Sequence, residues 1–64
     1  MLTLTEHELK ILRLVAHGDS NKMIGDRLGI VKQTVSNEVS TILHKLGGVN
    51  RANAVFIGKE KGII

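Results

Sequence analysis

Residues 24–46 of the sequence read IGDRLGIVKQTVSNEVSTILHKL. A short apolar pattern, made by Ile24 and Leu28, stops at Gly29. Beyond the glycine a longer pattern begins, whose members recur at the spacing of one stripe along an α-helix: Val35, Val39, Ile42, Leu43 and Leu46. Two helices joined through a glycine and about three further residues form a helix-turn-helix, whose second helix enters the major groove of DNA. The stretch therefore predicts a helix-turn-helix with a recognition helix over about residues 32–46.

The face of the recognition helix that lies opposite this stripe is polar and almost uncharged. At about 100° per residue, the side chains on that face are those of Gln33, Asn37, Ser40, Thr41 and His44. A helix face that meets only water is more usually rich in Glu and Lys. Amide and hydroxyl groups can pair with base edges in the major groove. This face therefore favours a surface that binds double-stranded DNA.

Length and composition agree with a small nucleic-acid-binding domain. The 64 residues suffice for one domain, residues 1–64, with a thin core, and 42% hydrophobic residues predict that it folds. The net charge of +3 suits a nucleic-acid partner, although many other domains share it. Phe56 is the sole aromatic residue, which argues against single-strand binders that stack bases on several aromatic side chains.

Several function classes are disfavoured by what the sequence lacks. Without cysteine, neither a disulfide nor a thiolate metal site can form, and the three histidines are dispersed, so we expect no metal and no cofactor. Ser40 and His44 share one exposed helix face without a carboxylate to orient them, so no catalytic residues and no enzyme are expected. No apolar run approaches the roughly 18 residues of a membrane span. We therefore expect a cytoplasmic domain without membrane contact or a small-molecule ligand.

Signals for helix ends recur along the chain. Thr5 and Glu8 have the spacing of a capping box at the start of a first helix. Ser20 and Asn50 are suitable N-cap residues for the second and fourth helices. No sustained alternation of apolar and polar residues predicts a strand. The fold class predicted is all-α, a small four-helix bundle with helices at about Glu6–His17, 21–28, Lys32–Leu46 and Arg51–Lys61.

The joint spacing of these features resembles the LuxR/NarL-type helix-turn-helix domain, without a gap from Leu4 to Ile64. The resemblance is carried by Leu4-Thr5-x-x-Glu8, Ile11-Leu12, Gly18-x-Ser20-Asn21-Lys22, Ile24, Arg27-Leu28-Gly29-Ile30, Thr34-Val35, Ile42, Lys45-Leu46-Gly47, Arg51 and Ala54-Val55. It implies a winged-helix-like bundle without the wing that serves transcription regulators, often as the output domain of a response regulator. It also implies double-stranded DNA as partner, a homodimer through the fourth helix, and RNA polymerase as a further candidate partner.

Site residues follow from helix geometry and, for the base-reading set, from matching this chain to the family positions. The resemblance implies that base edges are read by Ser36, Asn37 and Ser40. Residues suited to contact phosphate or backbone lie around the recognition helix and at the start of the second helix: Lys32, Gln33, Thr34, Thr41 and Lys45, with Ser20, Asn21 and Lys22. A second apolar stripe on the fourth helix coincides with the family's dimer surface and comprises Ala52, Val55, Phe56 and Lys59. Ordinary solvated side chains are the alternative in each case.

Three residues depart from the family pattern. Val31 stands where Ser or Thr usually caps the recognition helix, and valine cannot accept a hydrogen bond from the free N–H groups there. Glu38 replaces a usual His, and its carboxylate repels phosphate unless it turns toward Lys45 or accepts a hydrogen bond from a cytosine amino group. Met23 replaces the acidic residue that would complete a capping box with Ser20.

Two further residues receive structural interpretations. Gly25, inside the second helix, costs about 1 kcal/mol of helix propensity relative to alanine and indicates a close helix crossing. Arg51 either meets phosphate or joins the fourth helix to the first through an acidic partner such as Glu8, and we favour the structural role.

Two other functions fit the same sequence. Glu38 and the missing cap at Val31 suit a module that only dimerises and acts as an inhibitor or adaptor. A promoter-reading module of a sigma factor is a neighbouring helix-turn-helix class, although Lys45-Leu46-Gly47 and the fourth helix favour the LuxR type.

Overall fold

The computed structural model describes residues 3–64, and in that range it contains only helices and their connections. The helices are α1 (Glu6–His17), α2 (Asn21–Leu28), α3 (Lys32–Leu46) and α4 (Arg51–Glu60). The predicted all-α bundle is confirmed, and α4 ends one residue earlier than predicted because Lys61 serves as its C-cap.

Three of the four helices begin at a side-chain cap. In the α1 capping box, Glu8 N–H donates to Thr5 Oγ1 at 3.1 Å and Thr5 N–H donates to Glu8 Oε1 at 2.8 Å. The side chains of Ser20 and Asn50 accept hydrogen bonds from backbone N–H groups in the first turns of α2 and α4. Helix α3 begins at Val31 without a side-chain cap, as the sequence predicted.

The core is formed around α3, which packs against each of the other three helices. Its buried stripe consists of Val35, Val39 and Ile42. These side chains share one cluster with buried residues from the rest of the chain: Leu4, Ile11, Leu12, Ile24 and Ala54. Burial of apolar surface, at about 25 cal/mol per Å², is the main favourable contribution in such a cluster. The same packing turns the opposite face of α3 toward solvent.

Gly25 makes room for the turn that follows α2 rather than for a crossing helix. A Cβ atom at this position would lie 2.6 Å from the carbonyl oxygen of Ile30. The Ile30 N–H also donates to the Gly25 carbonyl oxygen at 3.0 Å. The predicted close approach is present, but the predicted partner was wrong, because the backbone of the α2–α3 turn occupies that space.

Candidate nucleic-acid interface

The outward face of α3 carries the polar side chains that the sequence placed there. Gln33, Asn37, Ser40, Thr41 and His44 are all exposed, above the buried stripe of the same helix. Ser36 lies on the flank and is half-buried. The three predicted base-reading residues are therefore not equivalent, since Asn37 and Ser40 face solvent while Ser36 is partly covered.

Hydrogen bonds already organise part of this face. Gln33 Nε2 donates to Asn37 Oδ1 at 3.1 Å, so the two amides lie side by side one turn apart. Thr41 Oγ1 donates to the backbone carbonyl oxygen of Asn37 at 3.2 Å. The hydrogens of the Asn37 amide and the hydroxyl of Ser40 can still donate outward, because neither of these two bonds uses them.

The start of α2 supplies the second predicted group of contacts. Ser20 Oγ accepts from Met23 N–H at 3.2 Å and is used as the cap. Asn21 Oδ1 accepts from the Arg51 guanidinium. Lys22 Nζ lies 3.1 Å from Asp26 Oδ2, in an ion pair whose two side chains are both largely exposed. Exposed pairs of this kind contribute little, so the Lys22 ammonium can still exchange its partner for another anion.

Lys45 differs from Lys22 because its charge has a buried partner. Its Nζ donates to Glu8 Oε1 at 2.8 Å, which joins α3 to α1. Burial raises the pKa of Glu8, but the hydrogen bonds from Lys45 and Thr5 outweigh it, so the pKa lies below its ordinary value. The structure therefore places this ammonium on the flank of α3 that faces α1.

Glu38 contacts a residue that the sequence had not singled out. Its Oε2 lies 2.6 Å from His7 Nε2, on α1. Because an ionised carboxylate can only accept, the His7 Nε2 atom carries the hydrogen of this bond. The suggestion that Glu38 turns toward Lys45 was wrong, since Lys45 is paired with Glu8. No local signal links residues 7 and 38, because only the packing of α1 on α3 brings them together.

Arg51 has the structural role that the sequence favoured, with different partners. Its guanidinium donates to Asn21 Oδ1 and, at 2.9 Å, to the carbonyl oxygen of Asp19. These acceptors lie in the α1–α2 connection and the first turn of α2, so Arg51 joins α4 to that region. The expected contact with Glu8 was wrong.

The Asp19 side chain is only 2% exposed and forms a group of ion pairs that the sequence had not indicated. Its carboxylate oxygens lie 3.1 Å from His17 Nδ1 and 2.7 Å from Arg27 Nε. The hydrogen bond from His17 is the largest influence on the pKa of Asp19, and together with Arg27 it lowers that pKa against the opposing effect of burial. This carboxylate stabilises the connection between α1 and α2.

The outer side of α4 carries the predicted apolar stripe. Phe56 is 61% exposed, and Ala52 and Lys59 also face solvent. Val55 is half-buried and packs against the core. Ala54 and Gly58, on the other side, are buried. The helix thus has one face in the core and an exposed aromatic ring on the other.

Within residues 3–64, no three His, Asp or Glu side chains are grouped as metal ligands would be. No helix in that range is long and apolar enough to cross a membrane.

Known proteins share this fold and much of this sequence. Residues 2–57 match the family described as bacterial regulatory proteins, luxR family. The transcriptional regulatory protein DesR of Bacillus subtilis (strain 168) is 46% identical over 59 residues, which are 92% of this chain and 30% of DesR. The DNA-binding transcriptional activator DevR/DosR of Mycobacterium tuberculosis (strain ATCC 25618 / H37Rv) is 40% identical over 57 residues, 89% of this chain and 26% of that protein.

A solved structure shows the same arrangement of helices. The response regulator ChrA of a heme-sensing two-component system superposes with a TM-score of 0.94 at 30% identity, over 100% of this chain and 32% of ChrA. The chain thus spans less than a third of the length of each of these three proteins. The named relatives are regulators of transcription rather than enzymes. Because the family match covers most of its length, the chain belongs to the luxR family of bacterial regulatory proteins.

Proposed function

We propose that this chain is the sequence-specific, double-stranded DNA-binding module of a cytoplasmic transcription regulator. In this proposal α3 lies in the major groove with its outward face toward the bases. The observation that carries the proposal is the exposed face of amides and hydroxyls above the buried stripe of Val35, Val39 and Ile42. The similarity to DevR/DosR, a DNA-binding transcriptional activator, supports the same function.

The side chains divide by what they could contact. Asn37 and Ser40 are proposed to read base edges, with Ser36 reaching them from the flank. The proposed phosphate contacts surround this face: Ser20, Asn21, Lys22, Lys32, Gln33, Thr34, Thr41 and Lys45. Among the lysines, Lys32 combines an exposed side chain with a position in the first turn of α3, where free N–H groups favour an anion. Lys45 is already paired with Glu8, so its contribution to DNA affinity should be smaller than that of Lys32.

A salt series tests the proposal. Binding of the folded chain to a pool of random duplexes, followed by fluorescence anisotropy, should weaken steeply as salt rises, because phosphate contacts release counterions. Lys32→Ala should reduce the slope of log affinity against log salt by about 1. Lys10→Ala is the matched control, since it removes the same charge from the exposed surface of α1. Absence of binding to any duplex at low salt would refute the proposal.

The apolar side of α4 supports a second part of the proposal, a homodimer through Ala52, Val55, Phe56 and Lys59. The exposed ring of Phe56 is the main observation in its favour. A patch of this size supplies only a few kcal/mol at about 25 cal/mol per Å² before the costs of association. We therefore expect a weak free dimer that strengthens on a duplex with two half-sites.

Phe56→Glu tests this dimer. The variant should keep its helical content and its binding to a single half-site, because residue 56 points away from the core. It should lose cooperative occupation of a full site, measured by gel-shift stoichiometry. Glu60→Gln, also on α4 and exposed, is the control and should bind as the parent chain does. Cooperative filling by Phe56→Glu would mean that another surface forms the dimer.

The same observation on Phe56 also suits a module that dimerises without binding DNA. In that case sedimentation would show self-association that depends on Phe56, while the duplex experiment would show no binding. The two experiments together therefore separate a DNA reader from an adaptor.

A further inference from the structure

The contact between His7 and Glu38 joins the first turn of α1 to the centre of the recognition helix. Glu38 is the single acidic residue of α3 and directly follows Asn37, which faces outward. Its Oε2 atom is 2.6 Å from His7 Nε2, and both side chains remain partly accessible. The carboxylate is thus drawn to the α1 side of the helix rather than toward the outward face.

The neighbouring ion pair engages Lys45, the alternative partner that the sequence suggested for Glu38. Glu8, adjacent to His7, accepts from Lys45 Nζ at 2.8 Å. Lys45 lies two helical turns beyond Glu38, and its charge is satisfied by this largely buried pair. Without the His7 hydrogen bond, the Glu38 carboxylate would therefore gain no replacement from Lys45 and could turn toward solvent.

We propose that His7 is a positioning residue that sustains DNA affinity by holding the Glu38 carboxylate against α1. This inference rests on the proposed DNA-binding function. Phosphate groups repel a carboxylate that projects from the recognition helix, and the repulsion grows as salt is lowered. His7 therefore acts through Glu38 and need not touch DNA.

A double-mutant cycle on duplex affinity tests this role. At low salt, His7→Ala should weaken binding to unrelated duplexes by about three- to tenfold, and the loss should shrink as salt rises. In the Glu38→Gln background the same His7 change should alter affinity less than about twofold, because no negative charge is then released. His7→Gln, whose amide can donate to the carboxylate, should restore most of the lost affinity.

The outcomes separate this inference from the proposed function. Absence of duplex binding by the unmodified chain would refute the proposed function itself. Normal binding by that chain, with equal losses from His7→Ala in both backgrounds, would show that His7 acts independently of Glu38 and would overturn the inference. If Glu38→Gln loses affinity only for duplexes with a particular base pair at one position, the inference is also overturned, because Glu38 would then read a base. If His7→Ala does not fold by circular dichroism, His7→Leu keeps the bulk without the donor and takes its place.

Discussion

Val31 leaves the first turn of α3 without a side-chain cap. Its backbone has the extended conformation of an N-cap, with φ −76° and ψ 154°, yet no side-chain atom accepts a hydrogen bond from the first turn of α3. The valine residue is also 68% exposed, so it contributes little to the core. Ser20, in nearly the same conformation, does cap α2. The recognition helix therefore begins without the side-chain support that the other three helices have.

Val31→Ser should stabilise the fold. A hydroxyl in this conformation can accept from the first turn of α3, which raises the free energy of unfolding by about 0.5–2 kcal/mol. Urea denaturation followed by circular dichroism measures the change. Ser20→Ala is the reciprocal control and should lower stability by about the same amount. An unchanged urea midpoint for Val31→Ser would mean that a side-chain cap at this position adds nothing to the stability of the fold.

Asn37→Ala should relax sequence preference rather than abolish binding. On the best duplex it should cost ~1–3 kcal/mol, because one amide pairing with a base edge is lost. A panel of duplexes with single-base substitutions measures this, and discrimination should fall at one position. Lys10→Ala, on the exposed surface of α1, is the control and should keep the full pattern of discrimination. A uniform loss across the panel would assign Asn37 to a backbone contact.

At the scale of the elements, the geometry of the helix-turn-helix depends on one missing side chain. Gly25 lets the backbone of the α2–α3 turn lie against α2, with the Ile30 carbonyl oxygen where a Cβ atom would otherwise be. Gly29, with φ 72°, ends α2 in the left-handed conformation that glycine adopts without strain. Backbone contacts therefore help to set the angle between α2 and the recognition helix.

Gly25→Ala should destabilise the fold although alanine is the better helix former. The gain of about 1 kcal/mol in helix propensity is opposed by a clash with backbone, which cannot rotate away as a side chain can. We expect a net loss of about 1–2 kcal/mol in the free energy of unfolding. Gly58→Ala is the matched control, because its Cβ would meet the side chains of Ile64 and Leu12, at 3.2 Å, rather than backbone. Equal effects of the two changes would contradict this account.

The helices were predictable to within about a residue because their end signals are local. Thr5 and Glu8 are three residues apart, and the capping box they predict is present. The partners of Glu38 and Arg51 were mistaken for the opposite reason, since His7 and Asn21 lie 31 and 30 residues away along the chain. Which side chains meet across two helices depends on the rotation of each helix about its own axis. The spacing of apolar residues predicts which face of a helix is buried, but it does not fix that rotation closely enough to pair individual side chains.

At the scale of the whole molecule, buried carboxylates hold the helices together. Glu8 connects α1 to Lys45 of α3, while Asp19 binds Arg27 of α2 and His17 of α1. Both have pKa values below the ordinary ones of 4.5 and 3.8. The folded protein therefore keeps them ionised at a lower pH than the unfolded chain does. Their contribution to the free energy of unfolding is fully present at a pH above the ordinary pKa values. It is lost as the pH falls through the lowered pKa values of the folded protein.

The thermal unfolding midpoint should consequently fall as the pH is lowered below about 4.5. Glu8→Gln should be less stable at neutral pH, because its charge-assisted bond with Lys45 is lost, and its midpoint should fall less on acidification. Glu60→Gln, an exposed change on α4, should keep the full acid dependence. Identical acid profiles for the parent chain and Glu8→Gln would show that other groups control acid unfolding.

The recognition helix is held from three sides, by the core, by the α1 contacts at residues 38 and 45, and by the α2–α3 turn. Packing on three sides opposes bending of this helix and its rotation within the domain. If the helix enters DNA as proposed, deformation of the duplex should contribute to the fit. The energy of bending and twisting then depends on base steps that no side chain touches, and flexible pyrimidine–purine steps cost least. Part of the sequence preference would therefore come from the sequence-dependent deformability of the DNA.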